Sequence, residues 1–310
     1  MRARGCPVWL VCRVLTEQGC RVSPRTYREW KHPTRPVSAR QVQDEAILDK
    51  LRWTVTGDDP DHPHPQPESL YGRRKMTRWL RRVGFPHVAF CTVDRLMRHL
   101  GMNGVRRGRV VRTTIPGKDG TRAGDLVDRD FTAPAPNTRL VADFTYVRTW
   151  AGFVYVSFAV DCYAQRIVGW DIRTDKTTAL VLHAVQMAVW ARSREHHAHT
   201  PHALIHHSDA GSQYTSITFT EHLALEGILP SIGSVGDAYD NALMESVIGL
   251  FKAEAIRPLV FHPGPLKDLT DVEHATGRWV HWWNTQRLHS TIGYQTPLEA
   301  ETQYYEHVNN

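Results

Sequence analysis

Along the first hundred residues the apolar positions fall at helical intervals, in short runs broken by turn signals. Val8, Val11, Val14 and Leu15 share one helical stripe, and Gly19 closes the turn. Ser23 followed by Pro24 then forms an N-cap with proline at the first helical position. A second short helix carries Tyr27 and Trp30 on one face, and a third helical pattern runs from Gln41 to Thr54. The segment GDDPDHPHPQPES reads as a surface loop, because its prolines cannot continue a helix. From Tyr71 the pattern sharpens. Met76, Trp79, Leu80 and Val83 repeat at i, i+3, i+4 and i+7, while Arg74, Lys75, Arg78, Arg81 and Arg82 occupy the other faces. After a turn at GFPH, Val93, Leu96, Met97 and Leu100 form the stripe of a second helix with Arg95 and Arg98 outward. Helix, glycine-containing turn and basic helix over 71–101 make the pattern of a helix-turn-helix.

The period changes after the Gly-, Pro- and Arg-rich stretch from Asn103 to Pro136. LVADFTYVRT, FVYVSFAVDC and QRIVGWDI are rich in β-branched and aromatic residues and predict a three-strand meander. A helix over Thr177–Ser193, a strand ALIHH, a helix over Ser216–Glu226, a strand over Ile228–Ile232 and a helix over Asp240–Ile256 follow. Strands in a run and then in alternation with helices predict a mixed sheet with helices on both faces. Trp279, Trp282 and Trp283 stand at i, i+3 and i+4 on a late helix, the spacing of a core stripe.

Charge divides the chain. Residues 1–139 hold 27 Lys and Arg against 14 Asp and Glu, a balance of +13, whereas residues 140–310 carry −7. Between Tyr71 and Arg112 twelve basic residues accompany one acid, Asp94, which points to a nucleic-acid partner for the basic part. The expected organisation is a basic helical DNA-binding region over 1–120, a linker over 121–139 and a core over 140–310 ending in a helix. No apolar run is long enough for a membrane helix and no secretion signal is evident; the five cysteines form no CxxC pair, so a cytoplasmic setting is expected.

Three acids stand out in the acidic part. Asp143 lies inside the first strand among apolar neighbours, Asp209 follows a buried strand and opens the loop SDAGSQYTS, and Glu245 lies one turn into a helix beginning at Asp240 and Asn241. Each alone has an ordinary reading as a paired, turn or helix-dipole acid. Together, two strand-end aspartates and a helical glutamate suit two divalent ions and phosphoryl transfer. Asp161 and Asp171 are expected to be structural. His196, His197, His199 and His202 lack accompanying cysteines and are expected to face solvent rather than hold zinc. His206 and His207 adjoin Asp209 and are expected to pack in the strand.

VADFTYVRTWAGFVYVSFAVD, IHHSDAGSQYTS, SVGDAYDNALMESVIGLFKAE and WWNTQRLHSTIGYQTP resemble the integrase-type catalytic core of insertion-sequence transposases of the OrfB class. The 35 residues between Asp209 and Glu245 match the spacing of that superfamily's acidic triad. The resemblance spans about Asp125–Glu299, and the basic region Tyr71–Gly101 resembles the helix-turn-helix module before the core. Leu140 and Val141 stand where relatives often carry Trp, and Trp283 where Tyr is common.

The resemblance implies an α/β, ribonuclease-H-like core, with a mixed five-stranded sheet flanked by helices, preceded by the all-α helix-turn-helix region. It implies metal-dependent cleavage and strand transfer at element ends, two Mg²⁺ or Mn²⁺ ions, and Asp143, Asp209 and Glu245 as their ligands. Lys252, seven residues beyond Glu245 on the same helix face, matches a lysine that grips terminal DNA. Asn241 is expected to orient or cap the Glu245 helix; Asn284, Arg287, His289 and Ser290 are expected to contact DNA or brace the site, Arg287 by contact and His289 by support. Arg74, Lys75, Arg78, Arg95 and Arg98 are the expected DNA contacts of the helix-turn-helix. A homo-oligomer on element and target DNA, and fusion to an upstream-frame protein, follow from the same resemblance. A hydrolysis-only nuclease and a catalytically silent DNA-binding regulator are the rival readings.

Overall fold

The computed structural model describes residues 6–32, 37–57, 65–106, 126–127, 130–209, 211–233 and 241–309. Most of the proline-rich loop, most of the 103–136 stretch and Asp240 lie outside them. The chain groups into two compact units, Met1–Lys50 and Leu51–Asn310. The first contains α1 (Val8–Glu17), α2 (Pro24–Trp30) and most of α3 (Ala39–Thr56). Ser23 caps α2 as expected, its hydroxyl accepting from Thr26 N at 3.1 Å.

In the second unit, α4 (Arg73–Arg82) and α5 (Phe90–His99) pack together through Met76, Leu80, Val93, Leu96 and Met97. Val83, expected on the buried stripe, is exposed, because α4 ends at Arg82 and the chain turns away at Gly84. Arg81 spans the turn, donating from Nε and Nη2 to Val88 O at 3.1 and 3.0 Å.

The sheet contains β1 (Arg139–Thr149), β2 (Gly152–Asp161), β3 (Arg166–Arg173), β4 (Ile205–Ser208) and β5 (Leu229–Ile232) in the order β3-β2-β1-β4-β5. The meander is antiparallel, and β1–β4 and β4–β5 are parallel. α6 (Thr178–Arg194) and α7 (Ile217–Leu225) bury Leu140, Ala142, Ala159 and Val168 on one face together with Val181, Val185, Phe219 and Leu223. The other face meets α8 (Ala242–Phe251) and α9 (Leu269–Thr285) through Phe158, Phe251 and Trp279, whose rings lie 5.0–5.8 Å apart. Trp279, Trp282 and Trp283 are all buried, as their spacing predicts. α10 (Pro297–Asn309) is tied down by a buried ionic cluster in which Arg192 bridges Asp161 at 2.9 Å and Glu301 at 2.6 Å.

The helix-turn-helix belongs to the same compact unit as the core. Trp282 Nε1 donates to Glu68 at 3.2 Å, Leu288 N to Tyr71 Oη at 3.0 Å, and Arg82 to Glu299 at 2.9 and 3.0 Å.

Candidate active site

Parallel pairing brings the first two acids together. Val141 stands opposite His207; Asp143 lies two residues further along β1 and Asp209 two residues further along the other chain segment, one past the end of β4, where its charge reaches Asp143. Asp143 is half-buried and its Oδ1 accepts from Phe144 N at 2.7 Å. Burial pushes its carboxyl well above the ordinary range, the charges of Asp209 and Glu245 push the same way, and Lys252 opposes them. Asp209 is also raised by burial, against a hydrogen bond from Gly211 N at 3.1 Å and the nearby His207. Gly211 is required by close approach: a Cβ there would fall 2.9 Å from Asp209 Oδ1.

Glu245 lies exposed in the first turn of α8. Among the described residues no three His, Cys, Asp or Glu side chains are gathered closely enough to hold a metal; Glu245 reaches Asp143 through its charge. The donor set still fits a hard divalent cation, since it offers carboxylate oxygens whose ionisation is opposed only by burial and mutual repulsion.

Asn241 opens α8 without a side-chain cap, contrary to the capping expectation. Its Nδ2 donates to Ala142 O at 3.4 Å, which ties the helix to the residue before Asp143. Lys252 lies just beyond α8, where the backbone widens into a π-turn over Lys252–Ile256. It is half-buried, with its Nζ 4.8 Å from the Tyr146 ring centroid. Burial lowers its pKa, Arg257 adds to that, and Asp143 opposes both.

Several relatives match almost the whole chain. It is 44% identical over 284 residues, 92% of its length and 96% of the relative's, to a putative transposase for insertion sequence element IS986/IS6110 of Mycobacterium tuberculosis. It is 42% identical over 292 residues, 93% of its length and 91% of the relative's, to the transposase for insertion sequence element IS629 of Shigella sonnei. The chain belongs to the insertion-sequence transposases. Family models described as integrase core domain match residues 133–238 and 226–297, and an HTH-like domain model matches 64–110. The HTLV-2 integrase catalytic core solved with magnesium shares 16% identity at a TM-score of 0.41, covering 54% of this chain and 98% of that one. The relatives and the family models make the transposase a DNA-binding polynucleotidyl transferase with an integrase-type core.

Its basic helices present Arg74, Arg78, Arg95 and Arg98 at the surface, with Lys75 half-buried. Arg98 pairs with Asp94, Arg78 lies 5.1 Å over the Tyr294 ring, and Lys75 Nζ 5.7 Å over Tyr71. Arg287, expected at DNA, is buried in the fold instead. It is 3% exposed, pairs with Glu254 at 2.7 Å and lies 4.4 Å over the Trp283 ring. Its cation neutralises a buried glutamate that also accepts from Trp279 Nε1 at 3.2 Å. His289 is buried beside it, within 3.1 Å of Trp283 O, and supports this cluster rather than the carboxylates. Asn284 extends the β3 edge by exchanging hydrogen bonds with Ile167, while Ser290 is exposed.

Among the four histidines, His196 and His202 are exposed; His197 stacks on Tyr305 and His199 lies 2.8 Å from Glu226 O. His206 and His207 are buried in β4, as expected. Sequence reading missed Tyr214, which lies buried beside Phe144, feels the charges of Asp143 and Asp209, and has no hydroxyl partner among the described residues. Its place in the loop after Asp209 was the available signal.

Proposed function

We propose that Asp143, Asp209 and Glu245 hold two divalent cations, Mg²⁺ or Mn²⁺, and that this one site both cleaves the element end and joins its 3′ hydroxyl to target DNA. The observation that supports the reading is the β1–β4 register, in which Val141 pairs with His207 two residues before each aspartate, together with the upward push on both carboxyls. Bound cations would supply charge for a developing oxyanion and lower the pKa of an attacking water. The exposed Glu245 side chain closes the set by turning toward the strand ends. Asn241 holds the start of its helix to β1, and Gly211 N orients Asp209. Lys252 holds the phosphate next to the scissile bond, and Arg74, Lys75, Arg78, Arg95 and Arg98 grip the duplex backbone. The working form is an oligomer on paired element ends, and partnership with an upstream-frame protein belongs to the same reading.

The test uses end-labelled element DNA, a target duplex and the full-length protein. Mg²⁺ or Mn²⁺ should yield both cleaved and joined strands, and chelator neither. Cleavage without joining would make the protein a nuclease; turnover in chelator would remove the cations from the reading.

A further inference from the structure

Past the carboxylates, the β1–β2 hairpin runs on beyond the helices that cover it. Val154, Val156 and Phe158 alternate onto the α8–α9 face and are buried, while Ser157 lies under α6 and donates to Leu180 O at 2.8 Å. Toward the turn, the face of Ser157 carries Tyr155, Phe153, Tyr146 and Arg148, by strand alternation and register. Tyr146 is 41% exposed, Phe153 54%, and Trp150 in the turn 73%. So much clustered aromatic surface is unusual without an occupant.

The patch is rigid. Tyr146 and Phe153 are diagonal neighbours across the strands, edge to face with centroids 5.3 Å apart. The turn is pinned from outside the hairpin, as Trp150 N donates to Leu266 O at 3.2 Å and Ala151 N to Lys267 O at 2.8 Å. It is also flanked by positive charge. Lys252 Nζ lies over the Tyr146 ring, and Arg148 is the direct cross-strand partner of Phe153. Among the described residues no carboxylate lies within ion-pair distance of either cation, whereas Arg173 farther along the sheet is engaged by Asp171 and Asp175.

We propose that Tyr146 and Phe153, flanked by Lys252 and Arg148, form a stacking platform for unpaired nucleotides of the DNA end held at the catalytic carboxylates. The proposal rests on the reading of those carboxylates as the strand-processing site. Tyr146 stands three residues along β1 from Asp143, about 10 Å at the rise of a strand and on the alternate face; β1 is paired with β4 only as far as Val141, and Lys252, over the Tyr146 ring and within electrostatic reach of Asp143, links the two around that edge. Opening a duplex end forfeits base stacking, and an aromatic face restores it without regard to sequence while neighbouring cations hold the phosphates. A second copy of this chain seated on the same face would have to bury Lys252 and Arg148, and charge complementarity favours DNA.

Two duplexes ending in the element's terminal sequence provide the test, one blunt and one with its tip unpaired, each carrying a fluorescent adenine analogue at the tip. Full-length Glu245→Gln protein, which leaves the DNA uncut, should prefer the unpaired tip and quench the analogue. Adding Tyr146→Ala or Phe153→Ala should cut that preference about tenfold and remove the quenching. Tyr146→Phe should retain both, because it keeps the ring. Phe153→Ala also serves if Tyr146→Ala fails to fold, since its exposed ring leaves no cavity. Unchanged preference and quenching in the folded alanine variants would overturn the proposal. So would an altered monomer–dimer equilibrium without an effect on DNA, which would assign the face to a second copy. Parallel joining assays on the unsubstituted protein separate the two failures: joining without tip preference sinks only the platform, and tip preference without joining sinks the catalytic reading.

Discussion

Asp143 and Asp209 stand side by side with two backbone amides, His207 and Lys252 to offset them, an arrangement that costs a fold stability and attracts a cation. Their neighbour His206 shows a different response to burial. Its ring packs 5.2 Å from Phe219, its Nε2 has no partner among the described residues, and burial takes its pKa down to about 3 from 6.5. Below pH 6.5 the unfolded chain takes up a proton that the folded chain refuses, so stability falls as pH falls from 6.5 toward 3. Raised carboxyls at Asp143 and Asp209 act in the opposite sense, so the difference between variants is the readout. His206→Leu should recover about 2 kcal/mol of the stability lost between pH 7 and pH 5, measured by denaturant unfolding at both pH values. A loss of stability with pH as steep as in the unsubstituted protein would show that His206 is not the group responsible. At this scale Asp143 was conspicuous in the sequence as an aspartate inside an apolar strand, and the charges of Asp209 and Glu245 do act on it. The sequence misdirected Arg287, since nothing in local spacing reveals that Glu254 faces it across the fold.

The elements were legible wherever pattern decides them. The βββαβαβα order follows from period and turn residues, and β1–β5 and α6–α8 appear in that order. Two features needed the third dimension. The π-turn at Lys252–Ile256 has no signature in helical spacing, yet it determines how Lys252 leaves α8. Gly169 in β3 looks like an ordinary weak strand position, but α6 crosses so closely that a Cβ there would fall 1.9 Å from Ala184 O and 2.9 Å from Ala188 N. Gly277 in α9 is the contrast, since its Cβ would meet Trp170 at 3.7 Å, ordinary contact. Thermal unfolding should therefore show Gly169→Ala destabilised by roughly 1–3 kcal/mol. Gly277→Ala should be neutral or stabilised by up to about 1 kcal/mol through helix propensity. Equal effects at the two sites would contradict the described packing of α6 on β3.

At the scale of the larger unit, the basic helix-turn-helix and the acidic core are physically joined. Glu68, Tyr71 and Arg82 fasten the helix-turn-helix to the segment Trp282–Glu299, contacts between residues more than two hundred apart that no local pattern announces. Because that docking leaves Arg74 and Arg95 exposed, DNA affinity should fall steeply with salt. Arg74→Ala and Arg95→Ala should each flatten the log–log slope by about 0.9 if each residue meets one phosphate, and an unchanged slope would place the DNA grip elsewhere. The central claim, that Asp143 in β1, Asp209 just past β4 and Glu245 in the first turn of α8 together perform the chemistry, is tested most directly by strand cleavage and joining in Mg²⁺ with Asp143→Asn, Asp209→Asn and Glu245→Gln. Each variant should lose both activities almost completely while binding element DNA nearly as tightly as the unsubstituted protein; a folded variant that still cleaves and joins would contradict the claim.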